Sequence, residues 1–169
     1  MRSPLKRMLL IAMGMASACH LSVAQGPGNA DDLVRQVVSA LAGNDQAALA
    51  KLTIDEPEFK KYLWPGLAPN VPASMTADKY YGMYQKANQS GIAEAGALLA
   101  GKKWQVVKIE QQPALRKGKG FQILGPPTVT LREEGGQEKN VKLVGGLLER
   151  DGAYKVTTFY VNPTLRAGK

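Results

Sequence analysis

The first apolar positions to repeat with a helical period are Leu33, Val34, Val37, Val38 and Leu41, which fall on one face. Asn29 or Asp31 stands where a side chain caps a first turn, and Gly43 where left-handed backbone ends a last one. Asn44-Asp45 caps a second short helix, Gln46 to about Leu52, with Leu49 and Leu52 turned inward. Asp55-Glu56-Pro57 has the form of a third helix start, with Phe59, Tyr62 and Leu63 as its buried side. Pro65, Pro69 and Pro72 then predict an irregular stretch, with Trp64 at its mouth, that wraps over the core or covers a pocket. A longer helix is predicted from Thr76 to about Gly101. Tyr80, Met83, Tyr84 and Ala87 form one stripe on it, Ile92, Ala95, Leu98 and Leu99 another, and Ser90-Gly91 predicts a bend or restart between them.

Beyond Gly101 the period falls from about 3.6 to about 2. Trp104 to Glu110 alternates, and Trp104 is a core residue by this pattern. Phe121 to Leu124 is a short run closed by Gly125-Pro126-Pro127, and Thr128 to Glu133 leads to a turn at Glu134-Gly135-Gly136. Asn140 to Arg150 is interrupted by Gly145-Gly146, which predicts a bulge or bend. Asp151-Gly152 is a favoured two-residue hairpin turn into Ala153 to Val161. Closely linked strands pair antiparallel. The pattern predicts one α+β domain over residues 30–162, its N-terminal helices packed on the concave side of a curved antiparallel meander, with residues 163–169 as a tail.

Two short segments carry a resemblance. Asp32 to Asp45, with its helix and small-acid turn, resembles the opening of the nuclear transport factor 2-like superfamily. Asp151-Gly152-Ala153-Tyr154-Lys155-Val156 is similar to that superfamily's closing hairpin. The resemblance implies a cone-like fold over most of residues 30–161. The superfamily holds isomerases, dehydratases and cyclases beside non-catalytic binding and scaffold domains, so it fixes no activity. Glu58 to Pro65 also resembles exported bacterial proteins that offer no functional residue to carry over.

The N-terminus changes the picture of location and charge. Arg2, Lys6 and Arg7 precede the apolar run Met8 to Ala16, and small residues end at Ser22-Val23-Ala24. This is the form of a bacterial signal peptide over residues 1–24, cut between Ala24 and Gln25, with residues 25–29 as a linker. The working chain is then expected in the periplasm or secreted. Its alternative hangs on Cys19, the one cysteine: Ala16-Ser17-Ala18-Cys19 resembles a lipobox with Ala16 in place of the usual Leu, and lipidation there would anchor the protein to a membrane. No stretch reaches the roughly 18 apolar residues of a spanning helix. Losing the three cations of the leader lowers the formal net charge from +8 to +5.

Candidate chemistry is narrowed mostly by exclusion. The only histidine, His20, lies in the leader, which removes imidazole nucleophile activation, acid–base steps and metal ligation from the mature chain. Asp31, Asp32, Asp45 and Asp78 sit at helix starts, Asp55 and Glu56 open the irregular stretch, and Asp151, Glu133, Glu134 and Glu149 border turns. No spacing matches a calcium loop, and neither metal nor cofactor is implied. Gly96 to Lys103 has phosphate-loop spacing, but Lys103 replaces the hydroxyl residue and the helix precedes the strand. Asn88-Gln89-Ser90 is a glycosylation sequon by form only.

Two groups of residues remain as candidate sites. Tyr62, Trp64, Tyr80, Tyr81 and Tyr84 combine apolar bodies with polar handles and are expected either to fill the core or to line a cavity for a small apolar ligand. Lys102, Lys103, Lys108, Arg116, Lys117 and Lys119 concentrate positive charge in one segment, either as a solvated surface or as a contact for an anionic envelope polymer. No base-stacking platform accompanies them, so nucleic acid is not expected. The sequence reads best as an exported, non-enzymatic domain binding a small ligand or an envelope protein. The alternatives are an isomerase-, dehydratase- or cyclase-like enzyme using carboxylate and tyrosine groups, and a basic surface protein adhering to anionic polymers.

Overall fold

A computed structural model describes residues 26–161. The leader, its cut at Ala24 and Gln25, Cys19 and the tail after Val161 lie outside the described residues. Helix α1 spans Ala30–Ala42, and Asn29 is its cap: the Asn29 side chain accepts from the Asp32 N–H at 2.7 Å. Its predicted face is buried, with Leu33, Val37 and Leu41 almost free of solvent. The left-handed residue that ends it is Asn44, at φ 52°, and not Gly43, which stays right-handed at φ −85°. Asparagine adopts that conformation more readily than other residues with a side chain. Helix α2, Gln46–Leu52, is capped by Asp45.

The stretch predicted to be irregular is helical. Helix α3, Glu56–Glu58, opens with a capping box between Asp55 and Glu58 and continues as a π-turn, Phe59–Leu63. Helix α4, Trp64–Leu67, and a 3₁₀ turn, Ala68–Asn70, complete it. A proline inside an α-helix clashes with the carbonyl four residues back and leaves it without a donor. The π-turn removes that conflict, because Trp64 N–H closes back to the Phe59 carbonyl and widens the turn just ahead of Pro65. Pro69 falls in the first turn of the 3₁₀ segment, where no donor is needed. Only Val71, extended because Pro72 follows, stops the run.

Helix α5, Ala77–Leu99, is capped by Thr76 and passes through Ser90-Gly91 without a break. Gly91 serves close approach instead: a Cβ there would lie 2.6 Å from the Phe159 carbonyl oxygen. Beside it, buried Asn88 accepts from the Phe159 N–H at 2.8 Å and from the Thr158 hydroxyl at 2.9 Å. These contacts hold the middle of α5 on the last strand, and they bury the amide that a glycan would need.

Seven strands follow: β1 Trp104–Glu110, β2 Ala114–Gly118, β3 Phe121–Leu124, β4 Thr128–Glu133, β5 Glu138–Val141, β6 Val144–Arg150 and β7 Ala153–Phe159. All pair antiparallel, so the α+β class and its order of helices before strands hold. The strands do not form one meander. They divide into a three-stranded sheet, β1-β4-β5, and a four-stranded sheet, β2-β3-β6-β7, and the chain passes back and forth between them. The strand read as Asn140 to Arg150 is split at Lys142-Leu143, where the chain changes sheet. Gly145-Gly146 lies inside β6 as the expected bulge. The Asp151-Gly152 turn has both residues at positive φ, 52° and 78°, as a two-residue hairpin requires.

The four-stranded sheet is buried on both faces. Leu124, Leu147 and Val156 meet α1, α2 and the three-stranded sheet in the main core. Ile123 and Leu148 point the other way, into a second cluster with Ile54, Phe59, Tyr62 and the aromatic half of α5. The predicted single helical layer is therefore divided between two faces, with α5 running past the β7 edge to serve both.

Candidate functional site

All five predicted aromatics belong to the second cluster, and they pack chiefly on one another. Phe59, fully buried, is the hub: its ring centroid lies 4.9 Å from Tyr84, 5.3 Å from Tyr81 and 6.1 Å from Tyr80. Trp64 covers Tyr80 at 5.7 Å, and Tyr62 meets Phe121 at 4.9 Å. The Tyr84 hydroxyl donates to the Thr157 carbonyl. The Tyr80–Tyr84 half of the stripe is inward, whereas Met83 is 57% exposed and lies outside the cluster. Two cavities lie away from this cluster. One groove of about 360 Å³ runs between α2 and α5 over Leu41, Leu49 and Ile92, and an open cleft of about 580 Å³ flanks Trp104, Arg35, Lys102 and Lys103. Trp104 itself is half-buried against the core and donates its ring N–H to the Leu99 carbonyl at 3.1 Å.

The six predicted cations are not one patch. Lys102 pairs with Glu133 at 2.9 Å, Lys103 with Glu134 at 3.3 Å and Lys108 with Glu110 at 2.5 Å, all on the three-stranded sheet. Arg116, Lys117 and Lys119 belong to the β2–β3 hairpin of the other sheet. Arg116 lies over the Phe121 ring, 5.4 Å from its centroid, and reaches the Leu63 carbonyl at 3.4 Å. Its guanidinium occupies the space beside Gly66, where a Cβ would come within 1.8 Å of Nη1. Among the described residues, neither Lys117 nor Lys119 forms an ion pair.

The acid that organises this region is Glu58, which a helix-start reading passes over. Its carboxylate, 9% exposed, accepts from Lys155 Nζ at 2.7 Å and from the Asp55 N–H at 3.1 Å, and Arg150 Nη1 stands 3.4 Å away. Register puts Lys155 and Arg150 there: β7 carries Lys155 opposite Leu148, and β3 carries Phe121 opposite Arg150. The neighbouring acids are equally committed, since Asp55 caps α3 and Glu56 pairs with Lys60 at 2.7 Å. Lys60 also pairs with Asp78, and these two carboxylates hold its ammonium well above the usual lysine range. Each of these carboxylates thus already has a partner.

Comparison with protein-family models, curated proteins and solved structures returns no match to this chain. The chemistry available is therefore that of these residues. Tyr62 is 6% exposed at the rim, with Lys61 Nζ 5.1 Å and Arg150 Cζ 5.8 Å from its ring centroid. Burial pushes its hydroxyl up, but hydrogen bonds from Arg150 and Lys61 outweigh burial and bring it down. Burial pushes Tyr84 and Tyr81 the other way, well above the usual range for Tyr84. One tyrosine is thus tuned by cations and two by burial. Among the described residues no group of three or more His, Cys, Asp or Glu is placed to hold a metal, and no helix is long and apolar enough to cross a membrane.

Proposed function

We propose that the protein is an exported, non-enzymatic binding domain of the bacterial envelope that contacts an anionic envelope polymer through the end of the four-stranded sheet. The observation that carries this reading is the unequal pairing of its cations. Lys102, Lys103 and Lys108 at the three-stranded sheet sit in ion pairs with Glu133, Glu134 and Glu110. Among the described residues Lys117 and Lys119 of the β2–β3 hairpin form no ion pair, and Arg116 of the same hairpin lies over the Phe121 ring that packs on Tyr62. Paired surface charges contribute little field, while unpaired ones clustered over low-dielectric side chains attract polyanions. The partnered carboxylates and the mutually packed rings support binding rather than turnover, and the form of the N-terminus supports an envelope location.

The test is retention of the purified chain on a sulfated polysaccharide over a salt gradient. Lys117→Glu with Lys119→Glu should remove retention, and Lys102→Glu with Lys103→Glu should leave most of it. Retention that survives high ionic strength, or that depends on the second pair rather than the first, would overturn the reading.

A further inference from the structure

Within that cationic end we infer that the outer edge of β2 binds an extended acidic segment of a partner protein, added to the four-stranded sheet as a further strand. The inference rests on the reading above and names its anionic polymer as a polypeptide.

Three observations carry it. First, the edge is open. Strand β2, five residues long, pairs only with β3. In an antiparallel ladder every second residue turns its N–H and C=O away from its partner strand. Among the described residues Leu115, Arg116 and Lys117 form no backbone bond outside that ladder, so the outward groups of β2 are free to take a neighbour. Second, the edge is cationic and has no acid in its own rows near it. Lys117 lies opposite Gln122, and Gln122 opposite Glu149, so the carboxylate of that row stands two strands in, about 10 Å away at ordinary strand spacing. Glu149 is moreover turned to the Gly152 N–H, at 3.1 Å. The neighbouring row, Arg116, Ile123 and Leu148, holds no acid. Acidic side chains on an added strand would fall beside Arg116 and Lys117, at the closest spacing two strands offer. Third, Leu115 lies in the bulge between Ala114 and Arg116 and is 69% exposed, more than any other large apolar side chain among the described residues. Lysine on an edge, taken alone, only keeps other strands away. A leucine in water beside it gives an incoming strand apolar surface to cover.

These features also choose between occupants. A second copy would bring its own Arg116 and Lys117 to the same edge, where like charges oppose. A polysaccharide would meet the cations but could not match the alternating donors and acceptors of a strand. An acidic extended peptide meets the charge, the backbone groups and the leucine at once.

The test is a ¹⁵N-resolved NMR titration of the chain with a short peptide that alternates glutamate and valine over the length of β2. Binding should saturate, move the amides of Leu115, Arg116 and Lys117, and slow hydrogen exchange at the outward amides of β2. Lys117→Glu, at an exposed position, should weaken it about tenfold with an unchanged melting temperature, as expected when a cross-strand pair turns from attractive to repulsive. The same peptide N-methylated throughout keeps its charges but has no N–H to give, and should lose binding to the unaltered chain. Equal binding of the N-methylated peptide, or of a counterpart with glutamine for glutamate, would overturn the proposal. So would a free chain that sediments as a dimer with those β2 amides protected, because the edge would then belong to a second copy. Retention on the sulfated polysaccharide with no saturable shift from the peptide would remove the added strand and leave the polymer-binding reading standing. Peptide binding without polysaccharide retention would do the reverse.

Discussion

Replacing Gly91 by alanine tests how α5 is held, because two well-known effects oppose each other there. In a helix interior alanine is favoured over glycine by about 1 kcal/mol. At position 91, however, the new Cβ would stand 2.6 Å from the Phe159 carbonyl oxygen, 2.8 Å from its carbon and 3.0 Å from its Cβ. None of these atoms can rotate away, so β7 and α5 must separate. Overpacking of this kind costs about 1–3 kcal/mol. Separation also stretches the bond from the Phe159 N–H to Asn88, and a buried donor left unpaired costs about 1–3 kcal/mol. The clash outweighs the propensity gain, and Gly91→Ala should lose about 1–4 kcal/mol of stability. Gly82, on the same helix, has nothing within 4 Å of an added Cβ, so Gly82→Ala should gain about 1 kcal/mol from the same chemistry. Urea unfolding followed by tryptophan fluorescence and far-ultraviolet circular dichroism measures both, provided the slopes stay equal. A Gly91→Ala protein as stable as its parent would refute the close-approach argument.

Asn88→Ala should lose about 2 kcal/mol, because it removes the buried acceptor of the Phe159 N–H; hydrogen exchange at that amide should rise with it. Glu58→Gln leaves Lys155 and Arg150 without their shared carboxylate and should lower stability by about 1–3 kcal/mol in the same urea assay, against less than about 0.5 kcal/mol for Glu138→Gln at its exposed pair with Arg132. In alkali, Tyr84 should make the fold weaker. Its folded-state proton is held above the unfolded value, so its contribution is complete below about pH 10 and falls as pH rises through the folded value. Tyr62, shifted down, acts in the opposite sense and adds stability above the unfolded value. Melting curves from pH 8 upward should therefore flatten in Tyr84→Phe and steepen in Tyr62→Phe.

What could be read from sequence was whatever is decided within a few residues. The α1 stripe, the cap at Asn29 as one of two candidates, the cap at Asp45, the helix start at Asp55 and the Asp151-Gly152 turn are local, and each has its predicted role. Strand β2 had no such signal, because its pattern is basic and exposed, with Leu115 pointing out at 69%. Pro65 misled because the π-turn that accommodates it depends on spacing, not on residue type. The five aromatics were grouped correctly, but whether they line a space or fill it is settled by Phe59, which carries no mark of being a hub. The basic segment looked like one patch because pairing partners such as Glu133 lie some thirty residues away in sequence and reach Lys102 only through the β1–β4 register. Glu58 was hidden for the same reason: its cations come from β6 and β7.

The two edges of the four-stranded sheet are not alike. Strand β7 is sealed, with Tyr154 N–H donating to the Pro27 carbonyl at 3.0 Å and Val156 receiving the Ile54 N–H at 3.0 Å. Strand β2 pairs only inward, with β3, and among the described residues no strand covers its outer side. Arg116 and Lys117 guard it by charge alone. A sheet closed on one side can add a neighbour only on the other. Two copies meeting edge to edge would thus exhaust each other's open strands, and through this sheet they would stop at a two-fold pair instead of growing into a fibre. Neutralising those cations should accordingly favour edge-to-edge pairing of two copies rather than a precipitate.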